Sequence, residues 1–225
     1  MISLFDCTDQ RMGTSKSGAW WEADGHRRLA NNSAVYRNRR PDPGFFLQKW
    51  KVLYDSKSGE PGLFSRYACQ AIAARSGRRD ANFEFGTNPC SEIILRPFQF
   101  CNLTEVVVRS DDTLESLKRK ARVAAILGTI QSSFTNFKYL RKKWQDTCNE
   151  ERLLGVSLTG VCDNLSVLTD ENLTALKQEV INTNVEWADR LGINPSVATT
   201  CVKPSGTVSQ LVNSASGLHT RHSPY

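Results

Sequence analysis

Asn88-Pro89-Cys90-Ser91-Glu92-Ile93-Ile94-Leu95-Arg96-Pro97, followed by Phe100-Cys101-Asn102-Leu103, is the most informative stretch of this 225-residue chain. Asn-Pro is a turn signal, because the residue before proline is pushed out of the helical region. Ile93-Ile94-Leu95 and Val106-Val107-Val108 are short strand-like runs on either side of a second cysteine. The turn therefore carries a thiol and, two residues on, a carboxylate. Such a pair suits hydrogen-atom and proton chemistry on one substrate. It equally suits a buried cysteine beside a surface glutamate, and spacing alone does not choose between them.

Outward from this stretch the chain alternates strands and helices. Pro61 suits the first turn of a helix running to about Ala74, with Phe64, Ala68, Ala71 and Ile72 on one face and Gly77 as its stop. Asp112-Thr113-Leu114-Glu115 reads as a capping box. The helix after it carries Leu114, Leu117, Ala121, Ala124 and Ala125 at helical spacing. Gly155 to Leu158 is a strand. Asp170 to Leu191 is the clearest helix, with Leu173, Leu176, Val180, Trp187 and Leu191 facing one way and Gly192 ending it. Val197 to Val202 reads as a buried strand. The first 60 residues, rich in Gly, Arg, Asn and Asp, read as irregular structure with short helices. The alternation predicts an α/β fold with mostly parallel pairing.

A second informative stretch is Thr199-Thr200-Cys201-Val202-Lys203-Pro204-Ser205-Gly206-Thr207-Val208-Ser209. Free backbone N–H groups at such a turn, with hydroxyls on Ser205, Thr207 and Ser209, suit an anion. The pattern also suits an ordinary capped turn, and it lacks the Gly-Lys-Ser/Thr ending of a P-loop.

Bulk properties set limits. Hydrophobic residues make up 40% and charged residues 23%, enough for a core. No apolar run reaches the ~18 residues of a membrane helix, and Met1 to Arg11 has no signal-peptide pattern, so the expected location is cytoplasmic. The net charge of +6 suits a phosphorylated ligand, nucleic acid, or a mildly basic surface. The Arg37 to Arg40 run reads first as solvated surface. Seven cysteines occur without zinc-type spacing, and the three histidines form no ligand set. Cys7, Cys69, Cys148, Cys162 and Cys201 read as structural thiols, and Trp20-Trp21 as packing.

Taken whole, Asn88 to Leu103 resembles ribonucleotide reductases, and is most similar to the adenosylcobalamin-dependent class of monomeric ribonucleoside-triphosphate reductases. The resemblance implies part of a ten-stranded α/β barrel with the radical cysteine on a finger loop. It implies that Cys90 becomes the thiyl radical, that Glu92 is the general base, and that Asn88 hydrogen-bonds the substrate hydroxyls. It implies that Cys101 is one of two cysteines oxidised to a disulfide. Ser91 stands where close relatives usually have glycine. The stretch Ser205, Gly206, Thr207 and Ser209 resembles the substrate-phosphate loop of the same family. Ile2 to Asp6, Ala30 to Val35, Gly59 to Gly62 and Leu154 to Gly160 also look like segments of it, and Asn31, Asn32 and Ser33 read either as lining the substrate end or as a cap or tight turn.

The resemblance further implies adenosylcobalamin as cofactor, a ribonucleoside triphosphate substrate, a thioredoxin-type reductant, and no nucleic-acid or membrane partner. Family catalytic chains are several times longer, so residues 1–225 are expected to be an incomplete domain, the central-to-C-terminal part of the barrel. That domain would work with complementary reductase polypeptides. The resemblance implies that the partner of Cys101 lies far before the radical cysteine, and Cys7, only 83 residues before Cys90, does not match it. The alternatives are a fragment of a reductase served by a separate metal-containing radical subunit, an inactive nucleotide-binding remnant, and a basic nucleic-acid-binding protein.

Overall fold

The computed structural model describes all residues except Met1, Asp24, Arg39, Ser58, Pro224 and Tyr225. One member of the basic run, Arg39, and the end of Ser223-Pro224-Tyr225 thus lie outside the described residues. The chain divides into two compact units, Met1–Pro97 and Phe98–Tyr225.

The first unit is built on a parallel sheet of β1 (Ile2–Asp6), β2 (Asn31–Tyr36) and β3 (Gly62–Ser65), with β2 in the centre. Short helices α1 (Gln10–Gly13) and α2 (Trp20–Ala23) lie between β1 and β2, and α3 (Pro43–Ser56) between β2 and β3. Asp42 caps α3 by accepting the Phe45 N–H at 2.8 Å, and Pro43 fills the first turn, where no N–H is needed. Side chains alternate across β2. Ala34 and Tyr36 join Phe5, Phe45 and Phe46 on one face, while Val35 joins Phe64, Cys69, Ala73 and Phe85 on the other. Gly62 pairs with Ser33, and a Cβ there would lie 2.6 Å from Ser33 Oγ, so any larger residue would have to displace that hydroxyl.

The helix expected from Pro61 begins five residues later, at Arg66. Residues from Gly62 form β3, and α4 (Arg66–Ser76) starts only after Ser65, whose hydroxyl accepts the Ala68 N–H at 3.1 Å. Its buried face is Cys69 and Ala73, whereas Ala68, Ala71 and Ile72 face outward. Gly77 ends it in the left-handed region as expected. A two-stranded antiparallel hairpin, β4 (Gly86–Thr87) and β5 (Ile94–Leu95), closes the unit.

The second unit pairs β6 (Asn102–Val107) with β7 (Leu154–Thr159) in parallel, register Asn102 to Leu154 through Val107 to Thr159. Between them run α5 (Leu114–Ser132) and α6 (Lys142–Glu151); α7 (Asp170–Leu191) and the short α8 (Thr207–Leu211) follow. Val106, Val108 and Val156 meet Leu117, Ala121, Ala125, Leu176 and Val180 in one core. Each fully buried Leu or Val there contributes roughly 1.5–3 kcal/mol. By alternation, Glu105, Ser157 and Thr159 occupy the other face of the pair. Thr113, not Asp112, caps α5, and Ser116 closes the capping box. Asp112 instead accepts hydrogen bonds from Ser116 and Lys120.

Residues 197–202 are less regular than a strand. They follow β7 through Leu154 N to Ala198 O (3.0 Å) and Val156 N to Thr199 O (2.9 Å), with a single bridge at Val156 and Thr200. Val202 is 64% exposed, so the run leaves the sheet before its expected end. Among the described residues no helix is long and apolar enough to cross a membrane, and no His/Cys/Asp/Glu group is arranged to hold a metal.

Candidate active site

The hairpin loop, residues 88–93, is held by Asn88. Its Oδ1 accepts the Ile93 N–H at 3.0 Å, and its backbone N–H reaches Ile93 O at 3.3 Å. The Ser91 N–H closes the turn onto Asn88 O at 3.0 Å. Asn at this position suits the fold because a short amide side chain mimics a backbone turn. Ser91 sits at φ 65°, the left-handed region that glycine enters without a Cβ penalty. This is why glycine is favoured at that position.

At the tip, Cys90 is exposed. Glu92 is half-buried, and its Oε2 is buried with no hydrogen-bond partner among the described residues. A buried carboxylate oxygen without a donor is costly unless a ligand supplies one. The turn therefore joins an accessible thiol to an unsatisfied acceptor. The strand side contributes Asn31, whose Nδ2 donates to Pro89 O, tying the first residue of β2 to the turn. Beneath the hairpin, Arg79 donates to Ile94 O at 2.8 Å and lies 4.6 Å from the Phe85 ring centroid. Arg96 stacks 3.7 Å from the centre of Phe83, and Arg66 donates to Phe85 O at 2.8 Å.

Asn32 and Ser33 are buried within β2. Asn32 is buried, donating to Ser15 Oγ at 3.0 Å and, through its backbone, to Glu60 at 3.1 Å. Glu60 also pairs with buried Lys16 at 2.8 Å, a network not legible in the sequence because its members are distant and lack a motif.

Cys101 and the 203–209 loop belong to the second unit. Cys101 is half-buried at the entrance to β6, beside Asn102, whose amide donates to Leu153 O at 2.9 Å. The loop is anchored where Ser157 Oγ accepts the Lys203 N–H at 3.0 Å. Gly206 and Thr207 are exposed, and no side chain caps the start of α8. Ser205 is buried, and its Oγ has no partner among the described residues. Ser209, expected among the anion ligands, is turned inward. Its hydroxyl donates to Ser205 O (2.9 Å) and Gly206 O (2.7 Å), so it shapes the loop. Gly217 permits the fold-back, since a Cβ would lie 3.0 Å from Lys203 O at a φ of +54°. Asp163 secures the far side, accepting the Ala215 N–H at 2.9 Å and Arg221 Nε at 2.9 Å.

No protein-family model matches the chain. It is similar to adenosylcobalamin-dependent ribonucleoside-triphosphate reductases of Lactobacillus acidophilus, with 26% identity over 235 residues, and of Levilactobacillus brevis, with 28% over 238. In both, 89% of this chain aligns with 30% of the relative. The chain thus spans about 30% of the length of these relatives. A crystal structure of a B12-dependent class II ribonucleotide reductase superposes with a TM-score of 0.72 at 22% identity, covering 98% of this chain and 34% of that one. The α subunit of an Actinobacillus ureae class Id reductase superposes with a TM-score of 0.69 at 14% identity, over 100% of this chain and 49% of that one. The two superpositions concern fold, and the fold is that of part of a ribonucleotide reductase catalytic α/β barrel. Across nearly its whole length, then, the chain is similar to one segment of the adenosylcobalamin-dependent ribonucleoside-triphosphate reductases.

Proposed function

We propose that this chain is a catalytic segment of a ribonucleotide reductase, converting ribonucleoside triphosphates to deoxyribonucleoside triphosphates by thiyl-radical chemistry. The observation that carries the proposal is the turn on which exposed Cys90 stands two residues from the unsatisfied carboxylate of Glu92. Cys90 Sγ takes the 3′ hydrogen of the ribose, and Glu92 Oε2 accepts the proton of the 3′ hydroxyl. Asn88 Oδ1 holds the turn, which leaves its Nδ2 to donate to a substrate hydroxyl. Cys101 supplies reducing equivalents and ends in a disulfide. Ser205, Gly206, Thr207 and Ser209 form the loop that receives the phosphates, and the Ser209 hydroxyl keeps it in shape through Ser205 O and Gly206 O. Residues 1–225 are the central-to-C-terminal part of the reductase catalytic barrel, an incomplete domain.

The cofactor is adenosylcobalamin, which when bound supplies the radical that Cys90 carries. The residues fit it in that the thiol it must reach is exposed at a turn tip. The described residues offer no cradle to assign to a corrin ring. A thioredoxin-type reductant, complementary reductase polypeptides and a cytoplasmic setting complete the proposal.

The test is deoxynucleotide formation from ribonucleoside triphosphates with adenosylcobalamin and a dithiol, using this chain mixed with the flanking reductase polypeptides. Product is expected from the mixture and none from the Cys90→Ser mixture. Glu92→Gln is expected to lower turnover by roughly 10²–10⁴-fold with the fold intact. Turnover that appears only with a metal-containing radical subunit would overturn the cofactor assignment.

A further inference from the structure

Lys16 lies in the loop between α1 and α2 and is only 6% exposed, which is unusual for a charged side chain. Its ammonium donates to Glu60 Oε1 at 2.8 Å and to Ala30 O, and stands 5.1 Å from the centre of the Trp20 ring. The other oxygen of the same carboxylate, Oε2, accepts the Asn32 N–H at 3.1 Å. The Asn32 amide donates in turn to Ser15 Oγ at 3.0 Å, and Ser15 Oγ donates to Met12 O at 2.8 Å. Lys16 and Glu60 therefore hold the backbone at Ala30 and at Asn32. Between these two points stands Asn31, the first residue of β2, whose Nδ2 donates to Pro89 O, one residue before Cys90. All of these residues belong to the first unit.

Stability alone does not account for the ion pair. Taking two charges out of water costs about what their attraction returns, and an apolar pair of similar volume would hold the loop as well. What an apolar pair cannot supply is two directed hydrogen bonds, one to Ala30 O and one from the Asn32 N–H. These bonds fix the entrance of β2, and with it the place from which Asn31 reaches the turn. We propose that Lys16 and Glu60 are positioning residues for the Cys90 turn, acting through Asn31. The proposal rests on the reductase reading only for what the turn does once it is placed. No linear motif joins positions 16, 31, 60 and 89, so the link is visible only in the fold.

The test compares the wild-type full chain with Lys16→Met, Asn31→Ala and the double variant by hydrogen exchange. Methionine keeps an unbranched stem of similar length and removes the donors. The reporters are the Ser91 and Ile93 amides, which close the turn onto Asn88, and α4 is the reference. Each single variant is expected to speed exchange in the turn roughly tenfold, as the loss of one hydrogen bond does, with α4 unchanged. The double variant is expected to exchange no faster than Asn31→Ala, because both changes remove one link. Should Lys16→Met fail to fold, Glu60→Gln takes its place in the same cycle, since it removes the ion pair and keeps an acceptor for the Asn32 N–H. An unchanged turn, additive effects in the double variant, or acceleration spread evenly over Met1–Pro97 would overturn the proposal. In the turnover assay with the flanking polypeptides, Lys16→Met is expected to lower kcat roughly tenfold at unchanged KM, because a misplaced thiol slows the chemical step and not the binding of substrate. A raised KM at wild-type kcat would also overturn it. A wild-type mixture that makes no deoxynucleotide would count against the reductase reading instead, and the exchange cycle would still decide whether Lys16 places the turn.

Discussion

At the scale of single residues, the turn at Cys90 carries a local strain. Ser91 adopts φ 65°, which costs an L-residue about 1–2 kcal/mol relative to glycine. Ser91→Gly is therefore expected to raise unfolding free energy by about 1 kcal/mol, read by chemical denaturation, once the greater entropy loss of glycine is set against it. Asp163 offers a second test. A hydrogen bond from Arg221, with the Ala215 N–H behind it, outweighs burial and holds its carboxyl below the ordinary value. A lowered folded-state pKa stabilises above the unfolded value of about 3.9 and is lost as pH falls through the folded one. The melting temperature should therefore drop below about pH 4, and Asp163→Asn should flatten that drop. Cys90 and Glu92 stand in an unusual string that draws attention to them as candidates, whereas Asp163 and Lys16 act through partners that no linear motif links to them.

At the scale of elements, α7 was the most legible. Its apolar residues recur at helical period, and Gly192 stops it at φ 64°. Even so, the pattern overstates its ends, since Leu173 and Leu191 are each 39% exposed while polar Thr183 and Asn184 are fully buried. Asn184 donates to Thr129 Oγ1 (2.9 Å) and Ser196 Oγ (3.0 Å), and its Oδ1 accepts the Ser196 N–H at 2.8 Å. Asn184→Ala would leave that buried N–H unsatisfied. A loss of about 1–3 kcal/mol in denaturant unfolding is expected. The strand β3 was misread for a physical reason. Four residues are too few to show alternation, and a proline at its head is equally at home in the first turn of a helix. Asp112 and Thr113 are both good caps, so only the reach of Ser116 decides between them.

At the scale of the whole molecule, the two units differ in how they are held. In the second, α5 and α7 bury one face of β6 and β7 in a single contiguous cluster, whereas the first divides its apolar residues between smaller clusters on either side of its sheet. Hydrogen exchange followed by mass spectrometry is expected to find the slowest amides in β6, β7 and the α5 and α7 segments facing them, with faster exchange in Met1–Pro97. Uniform protection across both units would contradict this. The parallel pairing also sets an order in time. Every strand of the first sheet has emerged once Ser65 has left the ribosome, whereas β6 must wait for β7, with α5 and α6 synthesised in between. Loop closure over such separations slows folding. The hairpin bearing Cys90 is thus made just after the sheet whose Asn31 will grip it, and before any strand of the second unit exists, so a nascent chain can set its thiol turn while the rest is still being translated.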